Sequence, residues 1–259
     1  MIFTFIVGLV IFLYPTVSNA LNQINATHAV EAYNKVQDQF DTETYEKYLS
    51  DAKNYNEMLK ESSTQFINGD PKGEQYKSIL NVSQDGMIGY ISIKKLSLIL
   101  PIYHGTSDKT LATSIGHLEG SSFPIGGNGT HAVISGHRGL PSAKLFTDLD
   151  RLEKGDIFTI TVLGQELTYM VDQIKTVKPN ETDDLKIDIN KDYVTLLTCT
   201  PYAVNTHRLL VRGVRSDPVD QTLSSDEGID IFIWAVILIV ILLSIIASMA
   251  LFSKYKKAE

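Results

Sequence analysis

One cysteine, Cys199, lies at the end of a segment whose composition is typical of a β-strand. Residues 193–197 are β-branched, aromatic or apolar, and Pro201 cannot continue a central strand, so the strand must end just past the cysteine. Residues 208–212 have the pattern of a second short strand. A hairpin between the two strands would bring Arg208 back beside the sulfur, so the sequence predicts a thiol next to a guanidinium.

A candidate proton carrier, His137, lies at the end of another predicted strand. Residues 130–139 run from β-branched residues into a Gly-His-Arg-Gly turn. A cysteine nucleophile needs a proton acceptor for itself and a donor for its leaving group, while a fixed cation stabilises the developing oxyanion. Cys199, His137 and Arg208 could supply these three roles. The competing interpretations are a buried, inert thiol and an exposed turn histidine.

The composition limits the possible classes of protein. With 259 residues and 44% hydrophobic residues, the chain has room for one sizeable core, so we expect one catalytic domain with peripheral segments. The net charge of −7 argues against nucleic acid as a partner. A single cysteine excludes an intrachain disulfide framework.

Both ends of the chain carry apolar segments that indicate a membrane. Residues 231–252 contain no charge, and at about 1.5 Å per residue they would cross a hydrocarbon core of about 30 Å as a transmembrane helix. Basic residues follow this segment and acidic residues precede it (Lys254, Lys256 and Lys257; Asp226, Glu227 and Asp230), which predicts a cytoplasmic C-terminus and an extracytoplasmic domain. Residues 1–20 end in Ser-Asn-Ala, which fits either a signal peptide or a second anchor.

The segment between the N-terminal apolar residues and the predicted strands has helical periodicity. Residues 27–63 contain two apolar stripes separated by a break at Asp41 and Thr42, namely Ala29, Tyr33, Val36 and Phe40, then Tyr45, Tyr48, Ala52, Tyr55 and Leu59. We expect a helical hairpin packed against the β-domain. A partner-binding coiled coil is the alternative, but the segment is too short for sustained heptads. Residues 62–84 lose this periodicity and are predicted to form a loop.

Short β-type segments between turn signals fill most of the remaining chain. They are residues 89–93, 98–103, 130–135, 156–163, 166–175, 193–198 and 208–214. This spacing predicts an all-β barrel or sandwich. Residues 141–152 and 181–185 are the expected short helices or turns, and the acidic residues 216–230 are a flexible spacer.

The sequence resembles the sortases, which are cysteine transpeptidases on the outer face of Gram-positive bacteria. The Thr-Leu-Leu-Thr-Cys run at 195–199 carries the resemblance together with His137 and Arg208, and it continues through residues 100–106, 116–120, 135–141 and 205–208. It covers about residues 85–215. The two membrane signals, the helical extension and the Cys-Thr-Pro-Tyr sequence at 199–202 are similar to class C, the pilin-polymerising sortases.

This resemblance implies a fold, a reaction and a set of partners. The fold is a mainly β, closed barrel of about eight strands with an N-terminal helical hairpin. Cys199 would attack the Thr–Gly bond of an LPXTG-like sorting signal, His137 would protonate the leaving amine, and Arg208 would stabilise the oxyanion. A lysine of the next pilin subunit would then resolve the thioester. Thr198 and His207 are possible supporting residues, and neither a cofactor nor a metal is expected, because no histidine pair has metal-ligand spacing.

Class C members often carry a lid, an Asp-Pro-aromatic triplet whose acid pairs with the catalytic arginine. The matching residues here are Asp70, Pro71 and Lys72. Lys72 stands in place of the aromatic residue and cannot cover the sulfur with a flat ring, so the resemblance implies a lid that is held less tightly. The alternative is that Asp70 and Pro71 form only a turn.

Three other functions remain open from the sequence. A housekeeping sortase would use the same residues but pass the acyl group to a cell-wall precursor. An L,D-transpeptidase also uses Cys, His and Arg, with a closer arginine. A membrane-tethered β-barrel adhesin would carry an inert thiol. The predicted organisation is a signal or anchor at 1–20, a helical extension at 21–64, a lid loop at 65–84, a catalytic barrel at 85–215, a linker at 216–230, a transmembrane helix at 231–252 and a tail at 253–259.

Overall fold

The structure, a computed structural model, describes residues 2–61 and 73–217. The described chain forms two long helices and a closed barrel of eight strands. The helices are α1 (Ile2–Gln37), α2 (Thr42–Glu61), α3 (Gly73–Ser78) and α4 (Asp108–Leu111). The strands are β1 (Met87–Ile93), β2 (Leu98–His104), β3 (Ile115–His117), β4 (Thr130–Ser135), β5 (Ile157–Val162), β6 (Gln165–Val177), β7 (Asp192–Thr200) and β8 (His207–Arg215).

The barrel closes in the order β1-β2-β3-β4-β7-β8-β6-β5. The β4–β7 and β2–β3 pairs are parallel, and the other pairs are antiparallel. The core is filled by alternate residues of the strands, including Ile91, Ile134, Leu196 and Val211. The predicted mainly β, closed barrel is therefore confirmed. Closure leaves no unpaired edge and fixes each strand's neighbours, which decides which strand ends lie side by side.

The two long helices form the predicted hairpin and pack on the barrel. α2 begins after Asp41, whose carboxylate accepts a hydrogen bond from the backbone N–H of Thr44 at 2.8 Å, as expected of an N-cap. Hydrogen bonding from the Thr44 side chain, together with this backbone bond, lowers the pKa of Asp41. Asn56 of α2 is buried, where its amide donates to the carbonyl oxygen of Phe123 and accepts from that residue's N–H. The hairpin is thus part of the core, because its apolar stripes meet the barrel wall.

The first helix is longer than the amphipathic pattern predicts. α1 begins at Ile2 and runs without a break through the apolar N-terminal segment into the barrel-packed part. Its Tyr33 is buried, donates to the carbonyl oxygen of Ile88 and accepts from the N–H of Leu163. Part of α1, Thr4–Gln37, is long and apolar enough to cross a membrane, with a mean hydropathy of 1.7 in its most apolar stretch. A signal sequence near the N-terminus would have the same composition.

Two differences from the predicted elements have clear physical causes. β3 was not predicted, since its three residues are too few to show a period; it is bonded on both sides, parallel to β2 and antiparallel to β4. Residues 62–84, predicted as a loop, contain α3. Tyr76 in this short helix and Leu80 just after it are buried. Their burial holds the segment in place although its other residues are mostly polar.

The predicted tail at 253–259 and the predicted spacer from residue 218 onward lie outside the described residues, as do two further predicted segments. These are the lid residues Asp70, Pro71 and Lys72, and the apolar segment at 231–252 predicted as a transmembrane helix.

Candidate active site

Three neighbouring strands position the candidate catalytic residues. β7 lies between β4 and β8 in the barrel. Cys199 is the partner of Arg208 across the β7–β8 pair, so the predicted hairpin is confirmed. On the other side Ser135 is the partner of Leu197, and one further hydrogen bond, from the N–H of Gly136 to the carbonyl oxygen of Leu197 at 3.0 Å, extends the β4–β7 pairing. His137 lies two residues after Ser135, and Cys199 lies two residues after Leu197, so both follow this last strand pair by the same number of residues.

Strand alternation places these residues on the outer face of the barrel. Alternate residues of a strand point to opposite faces. In β7, Leu196 and Val194 belong to the core, so Leu197 and Cys199 face outward. In β8, Leu209 and Val211 belong to the core, so Arg208 faces outward.

The same rule applied to β4 completes the site. Ala132 and Ile134 face the core, so Val133 and Ser135 face outward, and His137 follows two residues after β4 ends. His137, Cys199 and Arg208 are each half-buried. The structure therefore pairs two of the sequence-predicted residues, Cys199 and Arg208, and His137 follows the adjoining end of β4.

The turn after Cys199 holds the arginine. The Thr200–Pro201 peptide bond is cis, and β7 ends at Thr200 as Pro201 predicts. Arg208 uses one terminal nitrogen, Nη1, to donate to the carbonyl oxygens of Asn205 at 3.2 Å and His207 at 3.0 Å. These two bonds fix one arm of the guanidinium. Among the described residues, no protein group takes its remaining N–H groups, which are available to a bound oxygen.

Thr198, predicted as a possible support, lies beneath the site. It is buried, and its hydroxyl donates to the carbonyl oxygen of Gly136 at 2.7 Å. Because Gly136 directly precedes His137, this bond joins the cysteine strand to the histidine loop. His207, the other predicted support, starts β8, and its Nδ1 lies 2.9 Å from the hydroxyl of Thr206.

Two further histidines have roles inside the fold. His117 is buried, with Nε2 2.8 Å from the carbonyl oxygen of Ser122 and Nδ1 2.9 Å from the Tyr76 hydroxyl. His131 is buried, with Nδ1 2.9 Å from the carbonyl oxygen of Lys186 and Nε2 2.7 Å from the Thr195 hydroxyl. Burial lowers the pKa of His117 to about 3 and that of His131 to about 4, so both rings are neutral near pH 7. In the part of the chain that the structure describes, no group of three or more His, Cys, Asp or Glu side chains could hold a metal ion.

A small apolar cluster covers the outer face below Cys199. Its buried members come from β4, the end of β6, the β6–β7 connection and β8, with two partly buried leucines against them: Val133, Val177, Leu185 and Leu210, with Leu118 and Leu197. Leu197 lies on the same face as Cys199, two residues before it. An apolar surface thus leads directly to the sulfur.

Arg138, the residue after His137, has partners that the sequence does not predict. Arg138 is almost buried, with a side chain 10% exposed, and its guanidinium forms an ion pair with Asp150. Its Nη1 donates to the Thr200 hydroxyl at 3.2 Å. The only sequence signal was its position inside the Gly-His-Arg-Gly turn, which does not reveal partners that are distant along the chain.

Comparisons with known proteins identify a family for this fold. Residues 91–216 match the model of the sortase domain. Sortase A of Bacillus anthracis is 31% identical over 137 residues, which are 52% of this chain and 63% of that protein, so the match spans less than two thirds of this relative.

Solved structures align over a larger share of the chain. Sortase C1 from Streptococcus agalactiae is 50% identical with a TM-score of 0.71, covering 74% of this chain and all (100%) of that one. Sortase C1 of GBS Pilus Island 1 is 37% identical with a TM-score of 0.67, covering 78% of this chain and 97% of that one. With its closed barrel, its sortase-domain match and its likeness to sortase C1, the chain belongs to the sortase family and is similar in structure to class C members.

Proposed function

We propose that this protein is a cysteine transpeptidase that cleaves an LPXTG-like sorting signal and joins the new carboxyl end to a lysine amine of a pilin subunit. The observation that supports this proposal is the register of β4, β7 and β8, in which Cys199 is the cross-strand partner of Arg208 and His137 follows two residues after Ser135, the partner of Leu197. A nucleophile, a proton carrier and a fixed cation in one row are what acyl transfer requires.

The first half of the reaction forms a thioester. The Cys199 thiolate attacks the carbonyl carbon of the threonine, and negative charge develops on the carbonyl oxygen beside the Arg208 guanidinium. The carbon–nitrogen bond to glycine then breaks, and His137 gives its proton to the departing amine. The acyl group remains on sulfur.

The second half reverses these steps with a different amine. The lysine amine attacks the thioester carbon, the carbon–sulfur bond breaks, and His137 takes the proton that the amine loses. The product is an isopeptide bond, and the thiolate is regenerated. No oxidant or cofactor is needed to balance either half.

The apolar cluster below the sulfur supports a peptide with an apolar end. Leu118 and Leu197 are only partly buried, and Leu197 lies on the same face as Cys199, so this cluster could receive the leucine and proline of an LPXTG-like signal. The pilin acceptor is supported by the likeness to sortases C1, one of which is that of GBS Pilus Island 1. A housekeeping-type transfer to a cell-wall precursor would use the same first half.

We further propose that α1 anchors the enzyme in the membrane with its barrel outside the cell. The apolar part of α1 is exposed, as in Val10, Ile11 and Phe12. Its next residues are bonded to the barrel: the Ser18 hydroxyl donates to the carbonyl oxygen of Ser142, and the Asn19 amide oxygen accepts from the N–H of Lys144. Cleavage after Ala20 would remove both bonds, which favours a retained anchor over a signal peptide.

The test uses the full chain in detergent and its Cys199→Ala variant. Each is incubated with an LPXTG-type peptide and analysed by intact-mass spectrometry. We expect the wild type to gain the mass of the acyl fragment and the variant to gain none. A lysine-bearing pilin should then discharge the adduct into covalent oligomers. Discharge only by a peptidoglycan-type amine would support the housekeeping alternative, and a wild type that forms no adduct would refute the proposed function.

A further inference from the structure

We propose that Arg138 is a positioning residue that locks the His137 loop to the end of the cysteine strand. This inference rests on the proposed function, since it assigns Arg138 a role in the same acyl transfer. Its basis is the set of contacts that one guanidinium makes with three separate segments of chain.

The first two contacts use the two terminal nitrogens. Nη1 donates to the hydroxyl of Thr200, the residue that follows Cys199, at 3.2 Å. Nη2 forms an ion pair with the carboxylate of Asp150, which lies in a one-turn 3-10 helix, Leu149–Arg151. Arg138 is therefore a bridge between the cysteine strand and a turn that lies outside it.

The third contact is with the β7–β8 turn. The guanidinium carbon lies 5.9 Å from the centre of the Tyr202 ring, within the range of a cation–π interaction. The same ring lies against the backbone of Gly139, where an added Cβ would meet the ring carbon Cε2 at 2.8 Å. Gly139 also has a φ of +79°, which side chains other than glycine rarely adopt. The close ring and the positive φ therefore both favour glycine at this position. The turn and the histidine loop thus pack directly on each other.

Burial of the Arg138 guanidinium costs free energy, so its presence needs a reason other than stability. The Arg138 side chain is 10% exposed, while its partner Asp150 is 48% exposed. A nearly buried cation loses hydration, and the half-exposed carboxylate offsets only part of that loss. The Nε–H of Arg138 is also buried without a partner among the described residues. A neutral or smaller residue would be less costly here, so stability does not account for the arginine.

Arg138 does not touch the reacting atoms. Its two terminal nitrogens point instead to Thr200 and Asp150, their bonding partners. Its effect must pass through the backbone on either side: His137 is its neighbour in the chain, and Thr200 is the neighbour of Cys199. The guanidinium fork ties these two neighbours together, which fixes the separation of the imidazole and the thiol. A lysine could keep the ion pair but could not span both partners.

The test compares Arg138→Lys with Arg151→Lys, a matched control on the same 3-10 turn as Asp150. Arg151 is 62% exposed and pairs with Asp148 rather than with the histidine loop. Acylation by an LPXTG-type peptide gives kcat and KM, iodoacetamide labelling of Cys199 from pH 5 to 9 gives the thiol's pH profile, and thermal unfolding gives Tm. Because a misplacement of about 1 Å costs on the order of 100-fold in rate, we expect Arg138→Lys to lower kcat by about 10- to 100-fold with little change in KM and a displaced pH profile. The control should match the wild type.

Thr200→Val is the second variant, because it removes one hydrogen bond without changing a charge. It should lower kcat by a smaller factor, and the double variant should be no slower than Arg138→Lys alone, since both changes break the same link. A wild-type kcat and pH profile for Arg138→Lys, additive losses, or a kcat loss explained by the fraction unfolded would each overturn the inference. Failure of the proposed function is distinguishable, because then the wild type itself would form no adduct at Cys199.

Discussion

The outer face of β4, β7 and β8 carries two rows of similar residues with opposite character. The middle row is His131, Thr195 and Arg212; the end row is His137, Cys199 and Arg208. Each row takes a histidine from β4 or its end, a side chain with oxygen or sulfur from β7, and an arginine from β8. In both rows the β7 residue is the direct partner of the arginine across the strand pair.

The two rows differ in their partners. In the middle row both nitrogens of His131 lie within hydrogen-bond distance of oxygen atoms, and Arg212 forms a bidentate ion pair with Asp172, at 3.0 and 2.7 Å. Arg212 also lies 4.1 Å over the Tyr193 ring. In the end row, the described residues offer no hydrogen bond to the His137 side chain. Similar residues therefore stabilise the fold in the middle row, where their partners are internal, whereas the described residues leave the His137 side chain of the end row without a hydrogen-bond partner.

The largest expected contrast is between the two histidines. His137→Ala should lower the acylation rate by roughly 100- to 10,000-fold, the usual contribution of general acid–base catalysis, while Tm stays near the wild type. His131→Ala leaves the buried Thr195 hydroxyl and Lys186 carbonyl without their partner, which should cost about 2–4 kcal/mol of unfolding free energy. Its activity per folded molecule should be close to wild type. Acylation kinetics with Tm measurements check both, and equal activity losses in the two variants would break the comparison.

The arginines should show the same contrast on a smaller scale. Arg208→Lys keeps the charge but loses the planar fork, so we expect kcat to fall by about 100-fold, as when one oxyanion donor is removed. Arg212→Lys loses its paired bonds to Asp172 and should cost about 1 kcal/mol of stability, with kcat unchanged. The measurement is kcat from peptide acylation at saturating peptide. If fully folded Arg212→Lys protein had a lower kcat than the wild type, the proposed difference between the two rows would be wrong.

The buried histidines should also make the stability of the protein depend on pH. Burial lowers the pKa of His131 from 6.5 to about 4 and that of His117 to about 3. Below about pH 6.5 the unfolded chain binds protons that the folded chain excludes, so the free energy of unfolding falls as the pH falls. For His131 this loss occurs between pH 6.5 and about 4, with a slope of up to about 1.4 kcal/mol per pH unit.

Denaturant unfolding at several pH values in this window checks the prediction. His131→Gln has no imidazole to titrate, so its stability should depend less steeply on pH than that of the wild type. Equal slopes in the two proteins would show that His131 does not titrate as its burial indicates.

The local sequence predicts those helices and strands that have a clear apolar period and are bounded by proline, glycine or other turn residues. The β-branched residues before Cys199 and the proline after it define the end of β7, and the apolar stripes of residues 27–63 predict helices that pack on the barrel, as observed. The candidate residues were found because a lone cysteine, a Gly-flanked histidine and a hairpin arginine each have a local signature.

Only the tertiary structure shows that the two rows have different environments and which residues are the partners of Arg138. From the sequence, His131 and His137 are both β4-region histidines, and Arg208 and Arg212 are both β8 arginines. Their environments differ because residues far along the chain, Lys186 and Asp172 among them, fold over the middle row and not the end row. The same holds for Asp150 and Thr200, 12 and 62 residues from Arg138. Sequence determines which residues could do chemistry, whereas burial and partners arise only when distant segments meet.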